Sequence, residues 1–114
     1  MKNAYDFLSF VNDEKVRLWS GEAHRKKSVR KAEKFANFRD YGGRPLDDFT
    51  PRNIHDFFDS LTLEGFADST VNRYAAMLIR VFSHAVDEEH ITHVPKFTWK
   101  DEPENTRPLY YTAQ

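Results

Sequence analysis

The 114-residue chain has no cysteine. That excludes a disulfide scaffold, a thiol nucleophile and any cysteine-ligated zinc or iron–sulfur centre. No apolar run approaches the roughly 18 residues that a membrane-spanning helix requires, so no membrane partner is expected. The opening stretch, MKNAYDFLSFVNDEK, lacks the apolar centre of a signal peptide and turns acidic early. A cytoplasmic protein is therefore expected. Glycine is scarce, at four residues, and none falls in a phosphate-cradling loop. There is likewise no serine nucleophile elbow and no pair of acids on an apolar face suited to acid–base work. No catalytic site and no cofactor are expected.

What the chain does have is aromatic bulk and charge. Ten Phe, five Tyr and two Trp make up 15% of it, enough large apolar surface for one small core without metal support. Charged residues account for 31%, and the mean hydropathy is −0.75. The net charge of −1 is distributed unevenly along the chain. Residues 24–44 carry eight basic groups against Glu33 and Asp40, whereas residues 45–68 carry Arg52 against six acids. Residues 69–86 hold Arg73 and Arg80 and no acid. Segregation of this kind suits an oriented surface facing an anionic partner.

The apolar periodicity is helical. Tyr5, Leu8, Val11, Val16, Leu18 and Trp19 suggest a short first helix, broken near Asn12–Asp13. A second is predicted from Lys27 to about Tyr41, starting at Ser28 or its neighbours and stopped by Gly42–Gly43. Thr50–Pro51 is a strong start for a third helix, with Ile54, Phe57, Phe58 and Leu61 on one face and Gly65 at its end. Asp68 or Ser69 is expected to cap the longest helix, about 69–89, whose stripe is Val71, Tyr74, Ala75, Leu78, Phe82, Ala85 and Val86. The fold class is thus all-α: a helical domain over 1–95, then a proline-bearing extended tail over 96–114.

The outward face of the longest helix is predicted to carry Asn72, Arg73, Ala76, Met77 and Arg80. A helix so furnished suits a DNA major groove, with Arg for guanine or phosphate, Asn for adenine and Met for a thymine methyl. Ser69 and Thr70 at its start are placed to donate to a phosphate. Arg25, Lys26, Lys27, Arg30, Lys31 and Lys34 form a second cationic patch, and phosphate neutralisation is the main affinity term for such modules. His84, His90 and His93, near Glu89, are the only ligand-like cluster. Their spacing across a helix end fits solvated or capping histidines better than a zinc site, so no metal is expected.

Taken in order, GGRPLDDFTP, NIHDFFDSL, ADSTVNRYAAMLIRVFSHAVDEEHI and a proline-bearing run ending TRPLYYT resemble the N-terminal core-binding domain of phage-type tyrosine recombinases (integrases). The shared features are Gly42 to Leu46, Thr50–Pro51, Asp68 to Arg73, and Phe82 with Ala85–Val86, within residues 24–112. Val94–Pro95 stands where the family has Asn-Pro, and the family's Arg-x-Leu-Thr junction is loosened to Arg107 through Thr112. The resemblance implies a compact four- to five-helix bundle of SAM-like type that clamps the core of an attachment site in double-stranded DNA. It implies DNA contacts from Lys27, Ser28, Arg30, Lys31 and Lys34, and from Ser69, Thr70, Asn72, Arg73, Met77 and Arg80. It places catalysis in a further C-terminal domain, so Tyr110 and Tyr111 are not expected to be nucleophiles. Other recombinase protomers would be partners of the full-length protein, with this domain monomeric alone, inside a bacterial or phage-infected cell. The competing reading is a non-enzymatic helical adaptor whose basic and acidic faces pair head to tail.

Overall fold

The computed structural model describes residues 5–97, and all of the regular structure there is helical. Helix α1 runs Phe7–Leu18, α2 Glu22–Asn37, α3 Pro51–Leu63 and α4 Asp68–Asp87. Two 3-10 turns, Phe38–Gly43 and Leu46–Asp48, join α2 to α3. The expected all-α bundle is what the chain forms. The predicted tail from Thr98 onward, with Trp99, Tyr110 and Tyr111, lies outside the described residues.

Local chemistry sets most of the helix ends. The Asp6 carboxylate accepts from the Ser9 backbone N–H at 2.8 Å and caps α1. At α3, Thr50 accepts from the Asn53 N–H while the Asn53 side chain accepts from the Thr50 N–H, a capping box with proline at the first helical position. Past Leu63, Gly65 takes φ +95° and donates to Thr62, while Phe66 donates back to Leu61. This is the paired closure that lets a left-handed glycine finish a helix.

Three expectations about the helices need correcting. α1 is unbroken through Asn12–Asp13: both residues are exposed, and the buried stripe of Phe7, Phe10, Val11 and Leu18 continues past them. Its Val16 faces solvent. α2 starts five residues before Lys27 because its first turn is polar and solvated, with an exposed Glu22–Lys26 pair at 3.5 Å, so it carries no apolar signal. It also stops at Asn37, short of Tyr41, where Arg39 and Asp40 adopt left-handed backbone at φ 53° and 61°. Gly42–Gly43 are therefore not the left-handed stop. Finally, α4 begins behind Ala67 with no side-chain cap, so neither Asp68 nor Ser69 plays that role.

The core is a lattice of rings. Phe35 meets Phe7 at 4.8 Å, Phe57 at 5.0 Å, Tyr41 at 5.2 Å and Phe49 at 5.5 Å, mostly edge-on or tilted. Those are favourable quadrupole geometries for aromatic pairs. Phe82 of α4 joins from the far side against Phe7 and Phe49. Ile54, Phe57, Phe58 and Leu61 share this core with Val71, Tyr74, Leu78 and Phe82, as their helical spacing predicts. Packing extends beyond residue 95, since Ile91 and Pro95 are buried and Phe97 sets its ring 5.4 Å from Phe58.

Candidate nucleic-acid interface

α2 and α4 pack side by side, and the end of α1 closes the space between them. The result is a groove of about 730 Å³. From α2 it receives His24, Lys27, Ser28 and Lys31, which recur at helical spacing along one face. From α4 come Arg73, Ala76, Met77 and Arg80, and from α1 and its exit Leu18 and Trp19. Among the described residues, no carboxylate lines it.

The electrostatics follow from this crowding. Lys31 is half-buried, 5.9 Å above the Tyr74 ring, and its ammonium is pushed below its ordinary range. Burial is the main cause, with the charges of Arg73 and then Lys27 adding to it. Cations held together in a partly dehydrated cleft repel one another, and an anion placed among them removes that repulsion.

The expected contact residues divide into several groups. Lys27, Lys31 and Arg73 come together in the groove. Ser28 and Met77 are there too, but 5% and 4% exposed respectively, so they form its floor rather than an outward face. Met77 is thus corrected from a solvent-facing base reader to a buried floor residue. Its place on α4 is turned inward by the same stripe that buries Tyr74, Val81 and His84. Arg80 lines the groove, yet its Nε donates to the Leu18 carbonyl at 2.9 Å and a terminal nitrogen donates to the Arg17 carbonyl at 3.1 Å.

Arg30 and Lys34 sit elsewhere, in a shallow depression shared with Glu33 and Glu64 between α2 and α3. Lys34 is paired with Glu64 at 3.1 Å and lies 5.6 Å over the Phe66 ring. Arg25 is half-buried at the start of α2, donating to the Ser20 carbonyl at 3.4 Å, with its Nε hydrogen buried and unpartnered. Ser69, Thr70 and Asn72 are half-buried in the first turns of α4 and do not line the groove. Asp68 stands in that same first turn, which sets a negative charge where a phosphate was expected.

His24, Leu18 and Trp19 were not anticipated. His24 falls one turn before Ser28 on the α2 face, so it would have been legible had the helix start been placed at Glu22. The Leu18–Trp19 wall depends on how α1 docks, which no local pattern encodes.

The histidines have other work. His84 holds Glu14, His90 sits edge-on to Tyr5 and Phe10, and His93 pairs with Thr92. On α3, Asp56 is occupied by Arg39 at 3.1 Å and Arg52 at 2.9 Å. Among the described residues, no helix is long and apolar enough to cross a membrane. Comparison with protein-family models, curated proteins and solved structures finds no match for this chain.

Proposed function

We propose that this domain binds double-stranded DNA through the α2–α4 groove, as the core-binding domain of a phage-type tyrosine recombinase. The observation that carries the reading is a groove, lined by no acid among the described residues, in which Lys27, Lys31 and Arg73 crowd one another. A protein gains nothing in its own stability from such crowding, whereas a phosphodiester backbone rewards it through counterion release. Lys27 and Lys31 are one turn apart, about 6 Å along α2, so they are spaced to follow a strand. The ordered motifs from Gly42 to Val86 add the recombinase assignment. In that reading the stretch positions DNA and performs no bond cleavage itself. The rest of the recombinase supplies the chemistry and the other protomers.

Residue-resolved NMR titration with a short duplex tests this directly. Shifts should concentrate at 24–31 and 73–77 and leave the acidic outer face of α3, around Arg52 and Asp59, unmoved. Shifts centred on α3, or self-association in place of duplex binding, would replace the reading with the head-to-tail adaptor.

A further inference from the structure

Arg80 belongs to the groove by position but to α1 by bonding. Its two hydrogen bonds reach across 62 and 63 residues of sequence to the carbonyls of Leu18 and Arg17. A helix leaves its last four carbonyls without intrahelical donors and concentrates partial negative charge there. The guanidinium therefore caps α1 from α4. One turn further along α4, the nearly buried His84 ring meets the Glu14 carboxylate at 2.9 Å, and Glu14 in turn pairs with Arg17 at 3.2 Å. Arg80 and His84 thus grip the last turn and a half of α1 in register. Directly beyond that grip stand Leu18 and Trp19, 3% and 4% exposed, which make the α1 wall of the groove.

We infer that Arg80, backed by the Glu14–His84 pair, is a positioning residue: it latches α1 to α4 so that Leu18 and Trp19 form a fixed wall, and it does not itself neutralise a phosphate. The inference rests on the duplex-binding reading for its functional consequence. The planar fork of an arginine suits two neighbouring carbonyls, and moving it onto a phosphate would uncap the end of α1. Both arginines are exposed, but Arg73 bears on Lys31 rather than on a carbonyl and is the contrasting case of a groove cation presented to a ligand.

The test uses the full chain carrying Trp99→Phe, which leaves Trp19 as its single tryptophan. Arg80→Gln should keep the helical far-ultraviolet spectrum while the Trp19 emission moves to the red. Its duplex Kd should rise roughly five- to ten-fold at every salt concentration, the scale of one ordinary net hydrogen bond. The slope of log K against log salt should stay at the unsubstituted value, whereas Arg73→Gln should lower it by about 0.9. A slope loss in Arg80→Gln equal to that of Arg73→Gln, with Trp19 emission unchanged, would overturn the latch and make Arg80 a phosphate contact. His84→Leu loosens the same joint without touching the groove and should give the same red shift with an unchanged slope. That variant decides the matter if Arg80→Gln does not fold. If no form of the chain binds duplex, the binding reading fails. The latch is then decided on Trp19 alone: a red shift in either variant supports it, and no shift in both refutes it.

Discussion

Replacing Gly42 with alanine should destabilise the domain for a reason unrelated to backbone freedom. Gly65 is the one glycine among the described residues with positive φ, so the conformation of Gly42 is open to any residue. Space is the constraint. A Cβ on Gly42 would stand 2.8 Å from the Ala36 Cβ, 3.3 Å from the Leu8 Cβ and 3.4 Å from the Ala36 carbonyl oxygen. An alanine Cβ cannot rotate aside, so relief requires moving the α1–α2 joint itself. Overpacking of this kind costs roughly 1–3 kcal/mol. The loss is offset by about 0.4–1 kcal/mol, because alanine narrows the unfolded ensemble. A net loss near 1–2 kcal/mol lowers the melting temperature of a domain this size by about 5–15 °C. Gly43 is the internal control, since a Cβ there meets nothing within 4 Å. Gly43→Ala should therefore be neutral or slightly stabilising. Differential scanning calorimetry of both variants checks the pair. A Gly42→Ala protein melting at or above the unsubstituted temperature, or equal losses in both variants, would refute the steric account.

Other consequences follow from the core and the helix ends. Val71→Asp or Phe82→Asp buries an unpaired charge at a fully enclosed position and should abolish the cooperative melt seen by circular dichroism. Thr50→Ala should cost about 0.5–2 kcal/mol in denaturant titrations, because it opens the capping box of α3. The Tyr5 hydroxyl, donating to Asp13, is pushed up from 10.0 to about 12 by burial first and by that hydrogen bond second. A raised folded value means the contribution is fully present below pH 10 and is lost as pH rises through about 12. The stability difference between the unsubstituted chain and Tyr5→Phe should shrink over that window. A difference that grows there would contradict the sign.

Much of the fold was legible because long amphipathic helices announce themselves. Ile54, Phe57, Phe58 and Leu61 repeat on one face, and Thr50–Pro51 carries its own capping chemistry, so α3 could be placed almost residue by residue. The start of α2 was hidden because periodicity registers only where an apolar face is buried, and from Glu22 to Lys26 only the polar Arg25 is even half-buried. Its end was misplaced because left-handed Arg39 and Asp40 were unexpected, while the adjacent glycines drew the eye. The groove was half visible. Lys27, Lys31 and Arg73 share a cationic pattern with Lys34 and Arg30, and sequence alone does not say that Glu64 claims Lys34. Nor does it say that the carbonyls of α1 claim Arg80. Those divisions arise from pairing between segments 30 to 63 residues apart.

The claim that the α2–α4 groove binds a DNA backbone is tested most directly by salt dependence. Fluorescence anisotropy with a labelled duplex, run from about 50 to 200 mM salt, should show a slope near −2.7 if Lys27, Lys31 and Arg73 each neutralise one phosphate. Affinity then falls roughly 40-fold across that range. The Lys31→Gln, Arg73→Gln double variant should retain a slope of only about −0.9 and lose roughly four-fold over the same range. Equal slopes and equal affinities for the two proteins would contradict the account.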